Sequence, residues 1–207
     1  KGGKAIACAA DITKADEAQR IMDTTVEKFG KLDVLVNNAG LIRDAMIHKI
    51  TDAQWDACVD ICLRGAFNCV RAASKYMMKE GHNGSIVNIS SVAAFGNIGQ
   101  VNYSAAKAGI IGITKTIAKE WARFGINCNA IAYGMVDTRL TREKESGEEV
   151  RGEKVGIPKK IRDMVLETIA GKIMTPEDAA KPVLFLASDD AKFISGDVLN
   201  VSAGLSI

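Results

Sequence analysis

The stretch GSIVNISSVAAFGNIGQVNYSAAK, residues 84–107, decides the fold of this chain. Residues 84–89 are an apolar run rich in β-branched side chains and bounded by Gly and Ser, which reads as a buried strand. Two serines, Ser90 and Ser91, stand at its C-terminal end, and a turn rich in Gly and Asn follows. A helix then begins near Tyr103, with Ile110, Ile113, Ile117 and Trp121 on its apolar face. Strand, short turn and helix make one half of a βα unit.

The same alternation extends in both directions. Strands are expected at 4–9, 32–36, 126–131 and 197–201, and helices from Thr13 through Phe29, over 52–78, and from Thr175 through Leu186. Thr51 and Gln54 form a capping-box pair, with Trp55, Val59, Leu63 and Phe67 expected on the apolar face behind it. Thr175, Pro176, Glu177 and Asp178 supply a cap, a first-turn proline and first-turn acids. Strands alternating with helices imply a parallel sheet with right-handed crossovers and helices on both faces. The expected architecture is a doubly wound α/β sheet, and no repeat or linker divides it into more than one domain.

Within the deciding stretch, Tyr103 and Lys107 lie four residues apart and share a helical face. A tyrosine with an ordinary pKa of about 10 exchanges protons poorly near neutrality. A lysine charge a few ångströms away favours the phenolate and is expected to lower that pKa by roughly 1–3 units. Ser90 or Ser91 could donate a hydrogen bond to a carbonyl or alkoxide oxygen. The spacing alone does not fix a catalytic role, because YxxxK is common on helices.

Composition excludes several other classes. With 207 residues, 47% hydrophobic and 25% charged, the chain can bury a sizeable core. No apolar run approaches the roughly 20 residues that span a bilayer, so a cytoplasmic location without membrane contact is expected. A net charge of +2 without a basic, aromatic-interleaved stripe gives no support for nucleic-acid binding. Cys8, Cys58, Cys62, Cys69 and Cys128 are odd in number and lack CxxC spacing, so reduced packing thiols are expected rather than disulfides or zinc. His48 and His82 flank no carboxylate cluster, and no metal site is expected.

The serine, the YxxxK at Tyr103 and Lys107, GSIVNIS before them and NAIAYGMVDT (129–138) after them resemble the short-chain dehydrogenase/reductase family. The resemblance covers nearly the whole chain, with motifs in the family's order. The run NIGQVNYSAAKAGIIGITKTIAKE (97–120) is most similar to 3-oxoacyl-(acyl carrier protein) reductases and related 3-hydroxyacyl dehydrogenases. The resemblance implies a Rossmann-like sheet and an oxidoreductase, dependent on NAD or NADP, that interconverts a ketone and a secondary alcohol, with acyl thioesters among the expected substrates. It gives Tyr103 the proton transfer, Lys107 the tuning of that tyrosine and the nicotinamide ribose, and Ser91 the substrate oxygen. Asp11 and Ile12 would border the adenine, Asn38, Ala39 and Gly40 would lie beside the dinucleotide, and Gly134, Val136 and Thr138 would meet the nicotinamide end. The charged segment 139–163 would be a substrate lid, and the helices at 52–78 and after Tyr103 would pair in a homodimer or homotetramer. Gly109 and Gly112 would let another backbone approach.

The chain departs from the family pattern in five places. A glycine-rich phosphate turn between a first strand and helix is absent; the chain is expected to begin at the third strand of the pattern, without a first βαβ unit of roughly 30 residues. The strand at 32–36 would then stand at an exposed edge. Cys62, in VDICLRG, occupies the position of the family's active-site Asn, which there supports a helix kink and a water linking the lysine to solvent. Tyr133-Gly134 and Ala203-Gly204 replace Pro-Gly and Gly-Gly. The loop before Tyr103 is one residue short, so motif favours Ser91 while spacing favours Ser90; the strand end is the firmer guide and selects Ser91. The missing turn and Cys62 also motivate a rival reading, a non-catalytic oligomer-forming subunit of the same family.

Overall fold

The structure, a computed structural model, describes residues 2–79, 81–147, 149–150, 152–169 and 171–205. In chain order it contains α1 (Ala15–Phe29), β1 (Val34–Asn37), α2 (Asp52–Val59), a π-helical turn at Asp60–Arg64, α3 (Gly65–Met77), β2 (Ser85–Ser91), α4 (Val101–Glu120) and β3 (Asn127–Tyr133). A two-residue hairpin follows, β4 (Glu149–Val150) and β5 (Glu153–Lys154), and then α5 (Lys159–Thr168), α6 (Pro176–Leu186) and β6 (Val198–Val201). The main sheet is parallel throughout, in the order β1-β2-β3-β6.

Side chains alternate across the strands and so sort the helices into two layers. Leu35, Ile86 and Cys128 stand in register on one face, where α1, α3 and α4 bring Ala18, Met22, Val70, Ala73 and Ala118 onto them. Val87, Ile131 and Tyr133 point to the opposite face, which α6 covers with Leu186. Strands buried on both faces are the signature of parallel α/β sheets.

β1 is the edge strand. Leu35 is buried, whereas Val34 and Val36 are 38% and 40% exposed, because among the described residues no helix covers that face at this edge. Residues 4–9, expected as a strand, form no ladder. A strand exists only by pairing, and this segment instead runs back along α1: Arg20 donates to the Ala9 carbonyl at 2.6 Å, and the Cys8 thiol lies 4.0 Å from the Thr24 hydroxyl. Thr13 does not open α1 either; its hydroxyl donates to Asp11, and Lys14 is the cap residue.

Two helix expectations also change. The 52–78 helix is broken by the π turn, and the face expected to be apolar is split: Trp55 and Phe67 are exposed, Val59 and Leu63 are half-buried against the core, and Cys58, Ile61, Cys62, Ala66 and Cys69 face the core. Small inward side chains let this helix lie close to its neighbours. A Cβ on Gly109 would stand 2.9 Å from the Leu63 side chain, so the close approach there is within this chain, and one on Gly112 would meet nothing within 4 Å. Segment 139–163 is a turn at Lys144–Ser146, the β4/β5 hairpin and the start of α5 rather than a featureless run; Glu148 and Arg151 lie outside the described residues.

Candidate active site

The C-terminal ends of β1, β2 and β3 define the site, the position at which open parallel sheets bind ligands. A chain of buried amides fixes these ends to α4. Asn37 donates to the Asn88 side-chain carbonyl at 2.8 Å, Asn88 donates to the Thr114 hydroxyl at 2.9 Å, and Thr114 donates to the Ile110 carbonyl. Buried polar groups are tolerated when partnered in this way.

β2 ends at Ser91, whose hydroxyl accepts from the Ala93 N–H at 3.1 Å and opens a short turn at Val92–Phe95. Gly96 and Gly99, at φ values of 110° and 77°, reverse the chain toward α4 in a region that L side chains avoid. Asn102 is fully buried at the head of α4. Its amide donates to the carbonyls of Arg43 and Gln54, both at 3.0 Å, and its oxygen accepts from the Tyr103 N–H at 2.8 Å. One side chain thus satisfies a free N–H of the helix start and ties α4 to α2 and to the loop after β1.

Lys107 is 3% exposed. Its ammonium donates to the Ile89 carbonyl at 2.7 Å and lies 5.5 Å from the Tyr103 ring centroid. The two serines separate: Ser90 donates to the Lys107 carbonyl at 2.9 Å, while the Ser91 hydroxyl donates to the Tyr133 carbonyl at 3.5 Å and lies close enough to the Tyr103 phenol to favour its ionised form.

The electrostatics differ from the expectation drawn from spacing. Burial pushes the Tyr103 phenol above its ordinary value, Cys62, Cys58 and Asp44 push it further, and Ser91 pulls it down. Burial pulls the Lys107 ammonium below its ordinary value, and Cys62 and Cys58 pull it back up. Desolvation penalises the charged form of each group, and at this depth it outweighs their mutual attraction. Tyr103 is therefore held protonated, as a donor.

A cavity of about 150 Å³ opens beside the end of β1, lined by Ile12, Ile21, Val36, Asn38, Ala39 and Cys69 among others. Ile12 packs so closely under Gly65 that a Cβ there would stand 2.5 Å from it, and the Asp11 carboxylate takes the Thr13 hydroxyl. Gly40 stands between the cavity and the lysine: a Cβ on it would lie 3.6 Å from Lys107 Nζ and 3.5 Å from Cys62 Sγ. The lysine carries three N–H donors and gives one to the Ile89 carbonyl, and no side chain at Gly40 fills the space beside it. This arrangement fits the hydroxyl-rich ribose and nicotinamide end of a dinucleotide. Gly134, Val136 and Thr138 lie one strand away at the end of β3: Gly134 packs against the Ser202 backbone, Val136 bridges to Met174, and the Thr138 carbonyl accepts from the N–H groups of Thr141 and Arg142.

Cys62 sits inside the π turn, a feature frequent at functional sites. The Leu41 N–H donates to Cys62 Sγ at 3.5 Å, and the thiols of Cys58 and Cys62 both donate to the Leu41 carbonyl at 3.4 Å. The sequence marks Cys62 as standing in place of the family's Asn, reads Cys58 as packing, and does not single out Asn102. The available signals were the four-residue spacing of Cys58 and Cys62 and the Asn directly before Tyr103.

The family described as Enoyl-(Acyl carrier protein) reductase matches residues 1–206. A 3-oxoacyl-[acyl-carrier-protein] reductase of Thermotoga maritima is 41% identical over 199 residues, covering 95% of this chain and 75% of that protein. One from Synechocystis is 42% identical over 207 residues, covering 99% and 77%, and one from Staphylococcus epidermidis is 38% identical over 207 residues, covering 99% and 79%.

Proposed function

The chain belongs to the short-chain dehydrogenase/reductase family, and we propose that it reduces the ketone of a 3-oxoacyl thioester to the secondary alcohol with NADH or NADPH. The observation that carries this reading is the pairing of a protonated Tyr103 with the buried Lys107 at the end of β2, beside Ser91 and the space left by Gly40.

Ser91 donates a hydrogen bond to the substrate carbonyl oxygen and fixes its position against the phenol. Tyr103 gives its proton to that oxygen as it becomes an alkoxide, acting as a general acid. Lys107 stabilises the phenolate left behind and offers its remaining N–H donors to the ribose hydroxyls. When bound, the nicotinamide supplies the hydride that reaches the carbonyl carbon. Asn38, Ala39 and Gly40 shape the wall beside it, Ile12 and Asp11 border the adenine side, and Gly134, Val136 and Thr138 contact the carboxamide side.

The matching family's description concerns a carbon–carbon double bond and the relatives' names a ketone. The Ser91 hydroxyl beside Tyr103 favours the ketone, because it provides a second donor at one oxygen. Within the same reading the chain is a single domain, the charged segment 139–163, with its exposed Ile161, closes over the substrate, and the exposed Trp55 and Phe67 belong to a homo-oligomer interface. Five unpaired thiols support the cytoplasm as its compartment, and among the described residues no helix is long and apolar enough to cross a membrane.

The test is oxidation of NADPH and of NADH by the full gene product in the presence of acetoacetyl and crotonyl thioesters. Turnover with the oxo substrate supports the reading. Turnover confined to the enoyl substrate, or none with either cofactor, overturns it and favours a non-catalytic subunit.

A further inference from the structure

A groove of about 400 Å³ runs between the loop after β1 and the turn that leads into α4. Met46 and Ile47 line it from the loop, Ile98 from the turn, and Val101 and Ser104 from α4. Val101 and Ser104 lie three residues apart and share one helical face, and Ser104 is the residue next to Tyr103. The two walls are tied to each other. The Ala45 N–H donates to the Gly99 carbonyl at 2.9 Å, and the Gln100 amide donates to the Asp44 carboxylate at 3.0 Å. The groove is thus preformed and starts beside the phenol.

Its lining is largely alkyl. Ile98 is 87% exposed, Ile47 67% and Met46 47%, so three large apolar side chains stand in water around one concavity. Single exposed apolar residues are ordinary, but a cluster of them around a concavity marks a binding surface. The polar side chains there are turned aside or shielded: Asn97 donates to Gln100 at 2.8 Å, and the Ser104 hydroxyl oxygen is buried.

A 3-oxoacyl thioester has two arms, one on each side of the reacting ketone. The carrier arm bears amides, which would lose water in this groove and gain no partners. The alkyl arm has no polar group to strand, and its burial would shield the three exposed side chains as well.

We propose that this groove takes the alkyl chain of the substrate, and that Ile98 and Ile47, on its opposite walls, set the preference for chain length. This rests on the reduction of a 3-oxoacyl thioester proposed above. Each methylene moved from water into the groove should strengthen binding about fourfold.

The test is equilibrium binding, read by calorimetry on the full gene product. The ligands are 3-oxoacyl thioesters of four, six and eight carbons on N-acetylcysteamine, with the oxidised dinucleotide present so that no ketone is reduced. The wild-type Kd should fall on the order of 10²-fold from four carbons to eight. In Ile98→Asp and in Ile47→Asp that ratio should collapse toward one, and Ile98→Leu should restore it. Both positions are largely exposed, so the fold tolerates the substitutions, and a ratio of constants does not depend on the fraction of folded protein. A wild-type Kd that is flat with chain length, no binding at any length, or a ratio unchanged in both Asp variants overturns the proposal. Length-dependent binding without oxidation of NADPH or NADH would overturn the functional reading and leave the groove assignment standing; turnover of the four-carbon substrate with a flat length dependence would do the reverse.

Discussion

The Ser90 hydroxyl donates to the backbone carbonyl of Lys107 at 2.9 Å, fastening the end of β2 to the helix that carries the tyrosine and the lysine. The next residue, Ser91, faces the phenol instead. Two adjacent serines with identical chemistry therefore differ in what their removal does to turnover. Ser91→Ala should lower kcat by about 10²-fold or more, as loss of a donor at a developing oxyanion does, and should also cost about 1 kcal/mol of stability, because the hydroxyl caps the Ala93 N–H. Ser90→Ala should cost about 1 kcal/mol of stability, read from denaturant unfolding, and leave turnover within a few-fold.

Asn102 is the second such fastening. Asn102→Ala strands the carbonyls of Arg43 and Gln54 and the N–H of Tyr103. Unsatisfied buried groups of this kind cost about 1–3 kcal/mol. The melting temperature should fall by several degrees, and amide hydrogen exchange should quicken in residues 41–50, which Asn102 holds against α4.

The contact between α1 and α3 has a pH signature. The Tyr76 hydroxyl, the Gln19 amide and Lys75 hold the Asp23 carboxyl at about 2, below its ordinary 3.8. A carboxyl depressed in the folded state contributes stability that is fully present above 3.8 and is lost as pH falls through about 2. Tyr76→Phe should therefore be less stable than the wild type at neutral pH, and the difference should vanish in strong acid. A difference that is constant with pH would assign the effect to packing.

Much of the fold is legible in the sequence because its signals are local. The capping boxes at Thr51/Gln54 and Thr175/Asp178 are present as their spacing requires. The strands at the sheet centre are apolar runs that can be buried only between two helical layers, and the exposed edge at β1 follows from strand order. Residues 4–9 mislead for a physical reason: their composition suits a strand, but pairing is supplied by a neighbour and not by the segment. The π turn is invisible because one shifted hydrogen bond leaves the residue types unchanged.

At the site, the convergence of Ser91, Tyr103 and Lys107 is readable from a strand end and a four-residue helical spacing. Its electrostatics are not. How far Tyr103 and Lys107 move from their ordinary values depends on depth of burial and on sulfurs brought in by another helix. Asn102 does not stand out in the sequence, because an Asn in a Gly-rich turn has the same appearance whether it faces water or three backbone groups.

The proposed reduction turns on proton transfer by Tyr103. Its most direct test is the rate of acetoacetyl-thioester reduction by Tyr103→Phe, measured alongside dinucleotide binding by the same protein. Turnover should fall by about 10²–10⁴-fold, the usual contribution of a general acid, while binding is retained, since Phe preserves the packing and removes only the hydroxyl. A Tyr103→Phe protein that reduces the ketone at the wild-type rate would contradict it.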